Sequence, residues 1–130
     1  MKRIVFISLA ILLLCPVIVN AGELEKMKIA VASSGKTAKA SVSNMAAKCP
    51  YYLIFNNKGE LIEVIDNPYR DASRGAGPSA ANFLAQRDID IIVAGSFGSK
   101  MVNTLENKGV THFEFKGLAD DAVKRVLKLN

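Results

Sequence analysis

Asp90-Ile91-Ile92-Val93-Ala94-Gly95-Ser96-Phe97-Gly98 is the stretch whose reading decides the fold. Ile89 to Ala94 is an apolar, β-branched run of strand length broken only by Asp90, which predicts a buried strand. Gly95 to Gly98 ends it with a glycine turn, and Ser99 to Lys108 predicts a helix. Strand, glycine turn and helix in that order form the repeating unit of a sheet covered by helices.

The same pattern recurs downstream. Val110 to Phe115 predicts a strand, Lys116-Gly117 a turn, and Leu118 to Leu129 a helix with Leu118, Ala122, Val126 and Leu129 on one face. Upstream, Pro78 suits the first turn of a helix whose apolar residues Ala81, Phe83, Leu84 and Ala85 run as far as Arg87. Before it, Tyr51 to Phe55 and Leu61 to Ile65 are aromatic and β-branched around Asn56-Asn57-Lys58-Gly59-Glu60, a β-hairpin signature. Met27 to Ala32 alternates as a strand and stops at Ser33-Ser34-Gly35-Lys36, after which Thr37 to Lys48 reads as a loop or a weakly helical turn. The expectation is an α/β fold: a five-stranded mixed sheet with about three helices.

Composition agrees with one modest domain. The chain has 130 residues, half of them hydrophobic and 22% charged, with two cysteines, which argues against a disordered tail, a disulfide-stapled miniprotein or a multidomain enzyme. Residues 1–21 read as a secretory signal peptide: Met1-Lys2-Arg3 is basic, Ile4 to Leu14 is apolar, and Val19-Asn20-Ala21 offers a cleavage site. Pro16 interrupts a stretch already short of the roughly 20 residues that span a bilayer. Leu14 before Cys15 is too bulky for a lipoprotein signal. The expected product, residues 22–130, is periplasmic or secreted and touches a membrane only through its leader. Without Lys2 and Arg3 it carries 15 basic against 12 acidic residues. That excess is too small and too scattered to predict nucleic-acid binding. Cys15 leaves with the leader, so Cys49 is a lone thiol: a ligand, a reactive group, a dimer link or a small buried hydrophobe.

Ligands of open α/β sheets collect at the carboxyl ends of parallel strands, where glycine turns and helix N-termini present free N–H groups. Three segments qualify here: Ser33-Ser34-Gly35, Ser73-Arg74-Gly75-Ala76-Gly77 and Gly95-Ser96-Phe97-Gly98. Together they would form an anion-tolerant rim. Neither the dinucleotide nor the phosphate-loop pattern is complete. The soft or borderline metal donors are Cys49, Met45 and His112, with no two at a chelating spacing, so any site must be assembled by the fold or completed by the ligand. No nucleophile turn or acid–base pair is present, which leaves spatial pairing of Cys49 with His112 as the sole sequence route to catalysis.

From Met27 to Leu127 the chain resembles the dinitrogenase iron-molybdenum cofactor biosynthesis family, the small NifX/NifB-type cluster-binding domains. The resemblance is carried by Met27 to Lys36, Cys49-Pro50-Tyr51-Tyr52-Leu53-Ile54, Glu63-Val64-Ile65-Asp66-Asn67-Pro68, Gly75-Ala76-Gly77 and Asp90 to Gly98, in the family's order and spacing. It implies a ribonuclease H-like fold and a carrier role for an iron-sulfur or iron-molybdenum cluster or a related anionic metal species. Two-metal nucleases need converging carboxylates, and Lys28 to Ser33 carries none, so the fold name does not bring nuclease activity with it. Where relatives usually carry S-x-x-F-G-R, often with a His before the Phe, this chain has Ser43-Asn44-Met45-Ala46-Ala47-Lys48: the aromatic, the glycine and any histidine are gone, and Lys48 keeps the positive charge. Cys49 matches a position that is Cys or Ala in the family.

The leading expectation is an exported, non-enzymatic carrier. N–H groups of the glycine turns, with Ser34, Gly35, Gly75, Gly77, Gly95, Ser96 and Gly98 on the rim, would hold the cargo with Lys48 or Arg74, and Cys49, Met45 or His112 would bond the metal. The alternative is an interaction module that kept the fold and lost the ligand. A thiol enzyme using Cys49 and His112 would need an unusually acidic thiol.

Overall fold

The computed structural model describes residues 27–129, so the expected leader lies outside the described residues. Ile29–Ser33 forms β1, every residue of it buried. It pairs antiparallel with β2 (Tyr51–Phe55) and parallel with β4 (Ile91–Ala94). β3 (Leu61–Asp66) lies antiparallel outside β2, and β5 (Thr111–Glu114) parallel outside β4, giving the order β3-β2-β1-β4-β5. This is the expected five-stranded mixed sheet, in the ribonuclease H-like order with the second strand reversed. Three helices cover it: α1 (Ala76–Gln86), α2 (Ser99–Asn107) and α3 (Ala119–Leu129).

Strand alternation divides the core in two. Ala30, Ala32, Tyr52, Ile54, Ile92 and Ala94 face α1 and α2, where they meet Ala80, Ala81, Leu84, Met101 and Leu105. Ile29, Val31, Leu53, Phe55, Ile91 and Val93 face α3 and pack on Ala119, Ala122, Val123 and Val126. Central strands buried on both faces read as continuous apolar runs, which is why Ile91 to Ala94 carries no polar alternation.

Element boundaries differ from the sequence reading by a residue or two, for local reasons. α1 begins at Ala76, before Pro78, because Gly75 turns the chain with φ of 69°. Pro78 then takes the third helical position, still inside the turn whose N–H groups have no intrahelical acceptor. Ile89 stays outside β4 because its N–H donates to the Leu84 carbonyl and closes α1.

Residues 37–48 form turns rather than a helix, and they have two jobs. Their first part closes α3: the amides of Ala119 and Asp120 donate to the carbonyls of Ala40 and Ala38, both at 2.9 Å. Lys39 adds an ion pair to Asp120 at 2.7 Å. Their second part docks on the end of β4, through Gly95 N–H to Ser43 carbonyl (2.8 Å) and Ser96 Oγ to Asn44 carbonyl (2.7 Å).

Candidate functional site

That docking creates a cavity of about 480 Å³ between the loop 44–48 and the starts of α1 and α2. The volume lies within the range of small-ligand sites. Met45 and Lys48 line it on the loop side, Gly75 and Gly77 at α1, and Ser96 and Gly98 at the β4 turn. No carboxylate is among its lining residues, whereas Lys48 and Lys100 both are. Among the described residues neither lysine has a salt-bridge partner.

The starts of α1 and α2 meet at this cavity in an unusual electrical state. Each helix leaves its first N–H groups without intrahelical acceptors and carries partial positive charge there. Proteins ordinarily answer with a capping side chain or acidic residues in the first turn. α3 follows the rule, with Asp120 and Asp121 in its first turn and loop carbonyls on its amides. α1 and α2 have neither a side-chain cap nor an acid in the first turn. Ala76, Gly77, Ser99 and Lys100, the first residues of the two helices, all line the cavity, and their amides have no intrahelical acceptor.

Of the sequence-derived candidates, six come together: Met45, Lys48, Gly75, Gly77, Ser96 and Gly98. Gly95 is buried just behind them and serves a close approach. A Cβ there would lie 2.9 Å from Asn44 Cα and collide with the Asn44 side-chain oxygen, so only glycine lets the loop dock. Arg74 is exposed next to Gly75 but outside the lining. Ser34 and Gly35 form a separate turn tied to Ser41 and to Ser33 Oγ. The carboxyl end of β1 is thus closed by its own loop and adds nothing to the cavity.

Two of the three metal donors also lie elsewhere. Cys49 is wholly buried, its Sγ 3.8 Å from the Ala46 carbonyl and from Asn67 Nδ2. Burial pushes its thiol up to about 11, the opposite of the acidic thiol that a nucleophile needs. The geometry makes it part of the packing behind the loop, the small-hydrophobe alternative. His112 sits on β5 with its ring edge-on to Phe97, centroids 5.1 Å apart. β1 and β4 separate β5 from β2, roughly 14 Å of sheet at the usual strand spacing, so Cys49 and His112 are not paired. Among the described residues no three His, Cys, Asp or Glu side chains converge to hold a metal ion.

Sequence reading missed Lys100, Ser99 and Asn44. A lysine in the first turn of a helix opposes the macrodipole, and that misfit beside the glycine turn was the available signal for Lys100.

The site is thus a carboxylate-free cavity in an α/β domain, bordered by two uncapped helix starts and two lysines. The chain belongs to the family described as dinitrogenase iron-molybdenum cofactor, whose model matches residues 27–129. Among solved structures it is similar to the apo form of the orange protein from Desulfovibrio gigas, at 26% identity and a TM-score of 0.74, over 78% of this chain and 88% of that one. It is also similar to a NifB-like protein from Thermotoga, at 26% identity and a TM-score of 0.67, again over 78% and 88%. A dinitrogenase-like protein from Methanocaldococcus jannaschii, at 17% identity and a TM-score of 0.52 over 78% and 88%, shares the fold. No curated protein matches the chain.

Proposed function

We propose that this chain is an exported, non-enzymatic carrier whose cavity takes an iron-sulfur or iron-molybdenum type cluster, or a related anionic metal species. One observation carries the reading: two helix N-termini without caps or acids converge with Lys48 and Lys100 on a cavity that has no carboxylate. Four N–H groups and two ammonium groups would satisfy an anion, and the lining holds no carboxylate to balance a cation. The family's description names a molybdenum-containing cofactor, and the orange protein was solved as an apo form.

Charge and N–H donation, rather than protein–metal bonds, would do the holding. Of the cavity's lining side chains only the thioethers of Met45 and Met101 are soft donors, and Met45 is half exposed at the mouth. A cargo that arrives with its own sulfide or oxide shell can then be accepted and released intact. Export rests on the character of residues 1–21.

The test uses the chain from Gly22 onward, purified without oxygen from its secretory compartment. Metal analysis and an absorption spectrum are followed by titration of metal-free protein with molybdate and tetrathiomolybdate, two complete anions of molybdenum. The carrier reading expects stoichiometric metal as isolated, or saturable uptake that weakens with salt. A colourless, metal-free protein that takes up neither anion overturns it and leaves the interaction module, which the divergent segment Asn44 to Ala47 favours.

A further inference from the structure

Asn67 lies outside the cavity and is 3% exposed, yet both hydrogens of its side-chain amide go to the chain at and just after the cavity wall. Its Nδ2 donates to the carbonyls of Ala47 and Cys49, both at 2.8 Å, and its Oδ1 accepts from Tyr69 N–H at 2.9 Å. Beside it, buried Tyr52 donates its hydroxyl to the Ala46 carbonyl at 2.6 Å. Two successive carbonyls of the loop, at Ala46 and Ala47, are thereby drawn inward, onto the buried side chains of Tyr52 and Asn67 beneath the loop.

A trans peptide unit points its N–H opposite to its C=O. Drawing the Ala46 and Ala47 carbonyls inward therefore turns the N–H groups of Ala47 and Lys48 outward, off the buried side chains. Both residues line the cavity there, and neither amide has an acceptor among the described residues. The alternative orientation would present carbonyl oxygens to the anion and repel it.

We infer that Asn67 is a positioning residue that aims the Ala47 and Lys48 amides at the anionic cargo, making the loop a third set of N–H donors opposite the starts of α1 and α2. This rests on the carrier reading and adds to it specific binding groups and the side chain that orients them. The pair Asn67-Pro68 then has a role besides stopping the hairpin: it fixes which face of the loop the cargo meets.

Amide resonances are followed during titration of the metal-free chain with tetrathiomolybdate, for the wild type, for Asn67→Ala and for Val123→Ala. Val123 belongs to α3 and is buried against the opposite face of the sheet, so its truncation matches a loss of stability without touching residues 44–48. In the wild type, the amides of Ala47 and Lys48 should shift and gain hydrogen-exchange protection together with those of Ala76, Gly77, Ser99 and Lys100. Asn67→Ala should lose the Ala47 and Lys48 response and weaken binding about tenfold, and Val123→Ala should keep both. Should Asn67→Ala fail to fold, Asn67→Ser retains one short polar group and is expected to show the same selective loss in smaller degree. Response at the helix amides with none at Ala47 and Lys48 overturns the inference and leaves the carrier reading standing. Response at none of the six overturns the carrier reading as well. Retention of full affinity by the folded Asn67 variants also refutes the positioning role.

Discussion

Gly95→Ala tests the architecture of the cavity at its tightest point. The added Cβ would lie 2.9 Å from Asn44 Cα, a backbone atom that no rotamer change can move, and would collide with the Asn44 side-chain oxygen. The loop must then lift from the end of β4. Lifting strains or breaks the bonds from Gly95 N–H to Ser43 carbonyl (2.8 Å) and from Ser96 Oγ to Asn44 carbonyl (2.7 Å). Each contributes about 1 kcal/mol net. Overpacking that is only partly relieved costs about 1–3 kcal/mol. The expected loss is roughly 2–4 kcal/mol, out of a total near 5–15 kcal/mol for a domain of this kind, so the variant folds but melts about 10–20 °C lower. Gly98→Ala is the control. Gly98 has ordinary extended dihedrals (φ −74°, ψ 152°) and open space around an added Cβ, so it should stay within about 0.5 kcal/mol of wild type. Urea and thermal unfolding of the two variants, with tetrathiomolybdate affinity measured on each, decide the matter. A Gly95→Ala protein as stable as Gly98→Ala would refute the docked loop, and with it the cavity.

Lys48→Gln and Lys100→Gln should each weaken anion binding about tenfold, equivalent to ~1.4 kcal/mol, and lower its salt dependence, while leaving the melting temperature unchanged. Titration at two ionic strengths reads both effects, and salt-independent binding would contradict them. Ser99→Asp should separate stability from function, because a carboxylate at the open start of α2 complements the macrodipole. The fold gains about 0.3–1 kcal/mol by urea unfolding, whereas anion uptake falls by tenfold or more. For Cys49, the folded thiol keeps its proton up to about pH 11 while the unfolded chain releases it from about 9. The unfolded state therefore binds fewer protons in that window. Stability is unaffected below pH 9 and falls as pH rises toward 11, by at most roughly 2–3 kcal/mol. Tyr52, pushed up by the same burial, adds to the loss. Unfolding of Cys49→Ala across pH 8–11 should show a shallower decline, and its anion binding should match wild type.

Where one force dominated, the sequence was legible. β2 needed only its apolar aromatic character, and its limits, Tyr51–Phe55, are those expected. The helices were readable from turn chemistry plus one apolar face, and their ends moved only where a tertiary partner intervened. Leu118 illustrates this: it falls outside α3 because it bridges to Ser41, a contact 77 positions away in the chain that no local pattern encodes. The loop 37–48 was the least legible element. It is held by carbonyl and amide bonds to β4, α3 and Asn67, and backbone groups leave no trace in side-chain identity.

The site shows the same division with a sharper cause. Glycine turns mark where N–H groups can be open, and Gly75, Gly77 and Gly98 were found that way. Whether they are open depends on what packs over them, and an equally polar turn at Ser34-Gly35 is closed by Ser41. The more informative signal is electrostatic and was present in the sequence. α3 starts with Asp120-Asp121, α1 with Ala76-Gly77 and α2 with Ser99-Lys100. A helix start without acid or cap forgoes roughly 1 kcal/mol of stabilisation. Two such starts facing one cavity, while α3 on the other face of the sheet has both acids and carbonyl acceptors, place the deficit where an incoming anion can make it good. Energy withheld from the fold at α1 and α2 is then available to an anion that binds there, and a substitution that restores it to the fold, as at Ser99, takes it from the site.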